Sequence, residues 1–172
     1  MEIMELPGGL RLACCRLEGE TGHAAGRRLL KALWLSISAE PMPEVLAEPR
    51  GKPYFSGNPV YFSISHTKRH AFCVVSPVPV GLDGEEQDRR VPPALADKIL
   101  SPSEREAYDA APDRTAALLR LWVLKEAAVK RSGEGLRGYP NHTAFSPDHP
   151  GILEIDGCYV AVLTQEESTD AV

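Results

Sequence analysis

The segment Val80–Glu86 constrains the fold more than any other part of this chain, because its apolar and acidic residues alternate. Successive side chains of a β-strand point to opposite faces, so Val80 and Leu82 are predicted to enter a core while Asp83 and Glu85 lie side by side on the other face. Neighbouring carboxylates repel each other, and a proton or a divalent cation such as Mg²⁺ relieves the repulsion. The pattern alone also allows a simpler interpretation, an exposed strand end whose acids are solvated.

A third acid, Glu126, lies on a helix predicted from Asp113 to Lys130. Asp113 is a suitable N-cap, apolar residues follow at helical spacing, and Gly133 is the predicted stop. Trp122, Glu126 and Lys130 are four residues apart, so they share one face beside the apolar stripe, where Trp122 is predicted to join the core. Considered alone, Glu126 is either an i,i+4 partner of Lys130 or a ligand that faces a site.

Elsewhere the pattern predicts short strands and helices, which is typical of an α+β protein. Residues 10–15 are predicted as a strand, residues 22–35 as an amphipathic helix, and the Pro- and Gly-rich residues 41–59 as a loop without strands. Two hairpins are predicted, one joining residues 60–64 to 71–76 and one turning at Asp156-Gly157 between residues 152–155 and 158–164. The tail, residues 166–172, is predicted to fray.

Composition indicates a compact protein that needs no disulfides. The chain has 172 residues, of which 43% are hydrophobic and 25% charged, so it can bury a core. A formal net charge of -5 argues against sequence-independent binding to nucleic acid, which requires many basic contacts to phosphate. The four cysteines have no C-x-x-C spacing and the first residues do not form a leader, so we expect a reduced, cytoplasmic protein without a membrane span.

Four short motifs occur in one order: Gly51-Lys52-Pro53, then residues 62–67 (FSISHT), residues 80–85 (VGLDGE) and residues 122–130 (WVLKEAAVK). Together they resemble the signature of the 4'-phosphopantetheinyl transferases of the surfactin-synthetase type, and four ordered motifs are far more specific than one. The resemblance implies two similar small α+β halves packed as a pseudo-dimer, residues 1–79 and residues 80–172, of which the second carries the metal site. It also implies transfer of the 4'-phosphopantetheine arm of coenzyme A to a serine of an apo acyl or peptidyl carrier protein, with release of 3',5'-ADP.

The resemblance assigns roles to individual residues. It implies a Mg²⁺ site, which Mn²⁺ would also suit, with three ligands: Asp83, Glu85 and Glu126. Asp83 and Glu126 are the implied catalytic residues, with Glu126 as the best available base for the serine hydroxyl. Four residues are implied contacts of coenzyme A: Lys52, Ser65, His66 and Lys130.

Several polar residues keep two interpretations. Arg27, Arg28 and Lys31 are most simply the solvated face of the first helix, with phosphate binding as the alternative. Glu104 is fully explained by a capping box that begins at Ser101, although members of the family carry an acid here near the pantetheine arm. Lys125 is predicted to be structural, since it lies on another face of the helix than Glu126.

Gly84 departs from the family, which usually has Ile or Val between the two acids. A glycine there removes an inward apolar contact, unless a bulky neighbour such as Trp122 fills the space or the backbone adopts a positive φ. Of these two alternatives, we expect that a bulky neighbouring side chain fills the space. The chain is also shorter than typical members, so the resemblance is weakest before Gly51 and after Phe145.

Two functions from other classes remain open at this point. A metal-dependent phosphohydrolase would use the same three acids to direct water at a nucleotide or at coenzyme A. A non-catalytic module that binds carrier proteins would keep the fold without a metal, and only Gly84 favours it. Two fused halves would allow a monomer, which is the expected state.

Overall fold

The computed structural model describes residues 1–133 and residues 143–164. Within these residues, nine strands and four α-helices form a mixed α/β structure, with 3-10 turns at Pro7–Gly9 and Pro93–Leu95. The strands are β1 Glu2–Leu6, β2 Leu10–Arg16, β3 Val45–Ala47, β4 Pro53–Phe55, β5 Tyr61–His66, β6 His70–Ser76, β7 Val80–Glu86, β8 Ile152–Ile155 and β9 Cys158–Thr164. The helices are α1 Gly22–Ile37, α2 Ala96–Ile99, α3 Pro102–Ala110 and α4 Arg114–Ser132.

The first sheet is antiparallel and has the strand order β1-β2-β6-β5. Alternate residues of β2 and β6 point to opposite faces. On one face Ala13, Cys15 and Cys73 pack against α1, which contributes Leu29 and other buried apolar residues. This half of the core explains why the first helix is amphipathic, since its charged side faces solvent.

The second sheet is antiparallel, with the order β7-β9-β8 and α4 on its outer face. Its inner face packs against the free face of the first sheet, where Leu82 and Val160 meet Phe72 and Val74. The order of layers is therefore α1, first sheet, second sheet, α4. The layered packing brings two edge strands together, β5 of the first sheet and β7 of the second.

The predicted ends of the long helix and of the last hairpin are confirmed. Asp113 Oδ1 accepts the backbone N–H of Ala116 at 3.0 Å, and Gly133 ends α4 with a left-handed φ of 72°. The β8–β9 turn has positive φ at Asp156 (48°) and Gly157 (74°), as a two-residue hairpin loop requires. Val80 and Leu82 are fully buried, as the alternation in β7 predicted.

One prediction of local structure was wrong, and one strand was missed. The stretch 41–59 contains a hairpin, β3 paired with β4, because three-residue strands are too short to show a period in sequence. The N-terminal strand β1, which pairs with β2, was not predicted. The predicted fraying of residues 166–172 lies outside the described residues. Within the described ranges, no helix has the length and apolar character that crossing a bilayer demands.

Candidate active site

A hydrogen-bonded triangle joins the two sheets and α4 at the β5–β7 edge. Lys130 Nζ donates to Asp83 Oδ1 at 2.6 Å and to Ser65 Oγ at 3.1 Å, while Ser65 Oγ donates to the same Asp83 oxygen at 2.8 Å. Ser65 and Asp83 are buried, and about a third of the Lys130 side chain is exposed. The structure therefore brings together three of the residues predicted from separate motifs.

A glycine allows this approach. A Cβ built on Gly81 would lie 1.9 Å from the backbone oxygen of Ala127, so only glycine lets β7 pack directly on the α4 backbone. A second contact ties the edge strands together, because Ser63 Oγ accepts the backbone N–H of Leu82 at 3.0 Å. Gly81 and Ser63 were not identified as site-forming residues from the sequence. Each lies inside a matching motif, but the motif itself gives no sign of this contact.

Glu126 lies half-buried on α4 near the triangle. Burial raises the pKa of its carboxyl group, and the negative charge of Asp83 raises it further. The cations Lys130 and Arg89 act in the opposite direction on that pKa but do not cancel the shift. Glu126 is consequently more basic than an exposed carboxylate.

Glu85 is paired with Arg89 in a salt bridge between residues four apart. Thus two of the three predicted ligands already have cationic partners, Lys130 for Asp83 and Arg89 for Glu85. In the described part of the chain, no three His, Cys, Asp or Glu side chains converge closely enough to hold one metal ion. The donor type nevertheless fits Mg²⁺, which prefers carboxylate oxygens, so the three-ligand arrangement stays a prediction.

Two neighbouring cavities, together called the cleft, share part of their walls, including Gly51, Phe62 and Ile64, and one triangle residue lines the first of them. The first has a volume of about 250 Å³ and reaches Lys130. The second has a volume of about 360 Å³ and extends toward α1. Their basic and imidazole-bearing residues are Arg50, Lys52 and Lys130 in the first, and His23, Arg27 and His66 in the second. A net-negative protein thus concentrates positive charge at one elongated cleft.

Lys52 and His66 lie in different cavities. Lys52 lines the first, where its Nζ donates to the backbone carbonyl of Arg131. Burial lowers the pKa of Lys52, the charge of Glu48 opposes this shift, and the charge of Arg131 adds to it. His66 is exposed at the end of β5, lines the second cavity and packs closely over Gly22 at the start of α1. Neither residue joins the triangle, but each lines one of the two neighbouring cavities.

The structure separates the three basic residues of α1. All three are exposed, but Arg27 lines the second cavity, whereas the Arg28 guanidinium pairs with Glu20 and lies 3.4 Å from Cys15 Sγ. The Arg28 guanidinium is therefore already bound by side chains of the protein itself. Arg27 is the one member of the trio that the described residues place in the cleft wall.

Glu104 forms the predicted capping box, with Ser101 N–H donating to Glu104 Oε2 at 2.7 Å. The same carboxylate also forms a buried salt bridge of 2.8 Å with Lys125 and accepts the backbone N–H of Phe145 at 3.0 Å. Both side chains are almost entirely inaccessible to solvent. The capping interpretation and the structural role of Lys125 are confirmed, and the salt bridge between them was missed.

Gly84 is not a gap in the core. A Cβ at this position would lie 2.8 Å from two ring carbons of Phe72, so that ring occupies the space that a side chain would need. The backbone φ of Gly84 is not in the left-handed range. The expected filling of the space is confirmed, but the neighbour is Phe72 and not Trp122. Trp122 is only partly buried, with the Arg89 guanidinium 6.0 Å from its ring centroid.

Comparison with known proteins identifies the family of this site. Residues 79–161, which include Asp83, Glu85, Glu126 and Lys130, match the 4'-phosphopantetheinyl transferase superfamily. The chain belongs to this superfamily. It is 35% identical over 136 residues to the 4'-phosphopantetheinyl transferase AcpT of Salmonella typhi, covering 76% of this chain and 64% of that protein.

Two Bacillus proteins are also similar. A 4'-phosphopantetheinyl transferase of Bacillus subtilis is 36% identical over 89 residues, covering 50% of this chain and 39% of that protein. The 4'-phosphopantetheinyl transferase psf-1 of Bacillus pumilus is 28% identical over 152 residues, covering 84% of this chain and 65% of that protein. The chain therefore spans less than two thirds of the length of these 4'-phosphopantetheinyl transferases.

Proposed function

We propose that this protein transfers the 4'-phosphopantetheine arm of coenzyme A to a serine of an apo carrier protein and releases 3',5'-ADP. The observation that carries the proposal is the triangle of Ser65, Asp83 and Lys130 at the mouth of a cationic cleft. Each member comes from a different motif of the family. An anionic pyrophosphate matches the charge of this cleft, and the acids beside it match a divalent cation.

Lys130 and Lys52 are proposed to bind the pyrophosphate of coenzyme A. Both line the first cavity, and lysine binds phosphate as a mobile point charge. Ser65 is proposed to donate to a phosphate oxygen once substrate competes with Asp83 for its hydroxyl. His66, with Arg27 beside it in the second cavity, is proposed to contact a phosphate farther along the ligand.

Glu126 is proposed to accept the proton of the carrier serine. Burial and the charge of Asp83 raise the pKa of Glu126, whereas a cation bound to the same carboxylate would lower it, so Glu126 would take the proton directly or through an intervening water. The serine oxygen then forms a bond to the phosphorus that carries the pantetheine, and the bond from that phosphorus to the 3',5'-ADP oxygen breaks. Lys130 stabilises the negative charge that develops on the departing ADP.

Asp83, Glu85 and Glu126 are proposed to hold Mg²⁺, with Mn²⁺ as a substitute. The bound cation would neutralise charge on the pyrophosphate during transfer. Because the negative charge of Asp83 raises the pKa of Glu126, a cation beside the two acids would stabilise the ionised form of Glu126.

The architecture proposed for the whole chain is a pseudo-dimer. In this arrangement residues 1–79 and residues 80–172 form two similar α+β halves, and coenzyme A lies in the cleft between them. The two-sheet packing, with one long helix outside each sheet, supports it. We further propose that the protein acts as a monomer in the cytoplasm.

The decisive experiment is incubation with coenzyme A, Mg²⁺ and a panel of apo carrier proteins, followed by intact-protein mass spectrometry. A carrier that gains one phosphopantetheine, together with stoichiometric 3',5'-ADP, supports the transferase. Hydrolysis of coenzyme A without any carrier would instead identify a phosphohydrolase. Carrier binding with neither product would identify a non-catalytic module. An Asp83→Asn variant run in parallel excludes activity from a contaminant.

A further inference from the structure

Arg89 is a positively charged residue at the candidate site, and it belongs to none of the four sequence motifs. It follows β7 in a tight turn, where its backbone N–H donates to the Glu86 carbonyl at 2.9 Å. Its guanidinium forms a salt bridge with Glu85 and lies 6.0 Å from the centroid of the Trp122 ring. The turn fixes its backbone, and the acid and the ring hold its side chain from two sides.

The Glu85–Arg89 pair differs from the Asp83–Lys130 pair beside it. Lys130 also donates to Ser65 and lines the first cavity, so it has a second role in the cleft. Arg89 appears in the walls of neither cleft cavity. Its side chain is 43% exposed, whereas that of Glu85 is 18% exposed, so the guanidinium covers the acid from the solvent side.

We propose that Arg89 is the resident counter-ion of Glu85 and competes with the divalent cation for this carboxylate. The inference rests on the proposed function in one respect, that Glu85 is a metal ligand. In the metal-free protein Arg89 neutralises Glu85. A divalent cation can use the Glu85 oxygen only after this salt bridge opens, because a guanidinium and a metal ion at one carboxylate repel each other.

Arg89 therefore sets the concentration of metal at which the site fills. Opening a partly exposed salt bridge weakens metal binding only modestly, by about three- to fivefold. The released guanidinium remains over the Trp122 ring, which limits the loss of metal affinity. The same pair holds the Glu85 side chain in place when no metal is bound.

The test is direct binding of Mn²⁺ without coenzyme A, measured from the free Mn²⁺ signal in electron paramagnetic resonance. The variants are Arg89→Gln and Arg89→Lys. Arg90→Gln is the matched control, because Arg90 is the next residue, is exposed and carries the same charge. Circular dichroism melting confirms that each variant is folded before titration.

We expect Arg89→Gln to bind Mn²⁺ about three- to fivefold more tightly than both the parent and Arg90→Gln, and Arg89→Lys to remain near the parent. Equal affinity of Arg89→Gln and Arg90→Gln would overturn the proposal while leaving the metal site intact. Weaker binding by Arg89→Gln would also overturn it, and would show that Arg89 supports the site. Absence of Mn²⁺ binding in the parent and every variant would refute the metal site itself, and with it the competition.

Discussion

Lys130 Nζ lies 2.6 Å from Asp83 Oδ1, and this contact connects the motif on α4 to the strand that carries the acids. The two residues are 47 positions apart in the chain. Ser65 completes the contact from the first sheet. The pair balances one negative and one positive charge at the mouth of the cleft, so substituting either residue changes the charge presented to a ligand.

Substitution of Lys130 by Ala should weaken the binding of coenzyme A by about 10- to 100-fold, since a charge-assisted hydrogen bond to phosphate is lost. Isothermal titration calorimetry measures the affinity directly. Lys31→Ala is the control, because Lys31 is an exposed lysine of α1 outside the walls of both cleft cavities. An unchanged affinity in Lys130→Ala would limit Lys130 to a structural partner of Asp83.

Asp83→Asn should reduce phosphopantetheine transfer by about 100-fold or more while leaving the fold intact. The amide keeps the size of the side chain and still accepts from Lys130, but it removes the negative charge needed to hold a cation. Mass spectrometry of the carrier gives the rate. Asp88→Asn, on the exposed turn after β7, is the control. Near-normal transfer by Asp83→Asn would contradict the assigned role of this acid.

The Glu126→Gln variant should become increasingly more stable than the parent as pH rises. The folded-state pKa of Glu126 is raised by burial and by Asp83, so in the parent the folded state binds a proton that the unfolded state has already lost. Stability of the parent therefore falls as pH rises from about 4.3, the ordinary carboxyl pKa, through the raised value. The Gln side chain does not ionise, so the stability of the variant does not fall with pH through this position.

Chemical denaturation in the presence of a chelator, from pH 3.5 to 8, measures the difference in the free energy of unfolding between parent and Glu126→Gln. The difference should grow with pH and then reach a plateau. A difference that is independent of pH would mean that Glu126 titrates equally in the folded and unfolded states.

Gly84→Ile should lower the melting temperature, with a loss of stability of more than about 1 kcal/mol from overpacking. The new Cβ would approach the Phe72 ring to 2.8 Å, and that ring is completely buried between the sheets. The double variant Gly84→Ile with Phe72→Leu should recover part of the loss, because the smaller side chain gives room. A melting temperature of Gly84→Ile above that of the parent would contradict this packing.

Lys125→Met should destabilise the protein by about 3–5 kcal/mol, because it leaves the buried carboxylate of Glu104 without its cation. Adding Glu104→Gln should restore part of the stability, since it removes the unpaired charge. The recovery is incomplete because the backbone N–H groups of Ser101 and Phe145 donate to different oxygens of Glu104, and the amide has only one oxygen. Arg105→Met, which removes exposed ion pairs to Asp97 and Asp109, should cost less than about 1 kcal/mol. Urea unfolding of all variants provides the comparison.

Local patterns predicted the elements that have strong periodicity or clear end signals. The N-cap Asp113, the stop at Gly133 and the Asp156-Gly157 turn act through neighbouring backbone groups, so their effect can be deduced without knowing the fold. The hairpin β3–β4 could not be deduced in this way. Its strands have three residues each and are held by pairing across the hairpin.

The residues of the candidate site were predicted from motifs, but their partners were not. Ser65, Asp83 and Lys130 were each assigned to ligand binding, and the structure adds that they bond to one another. Arg89 and Phe72 were absent from the prediction. Nothing in the residues beside them indicates that one neutralises Glu85 and the other fills the space at Gly84.

The sequence by itself determined the alternation in β7, the caps of α3 and α4, and the family, because each depends on residues that are close along the chain or on their order. Only the tertiary structure decided which distant charges meet: Lys130 with Asp83 and Lys125 with Glu104. The physical reason is that these contacts depend on how α4 packs against β7 and against α3. Gly81 sets the approach of α4 to β7, since its missing side chain lets the helix lie directly on the strand.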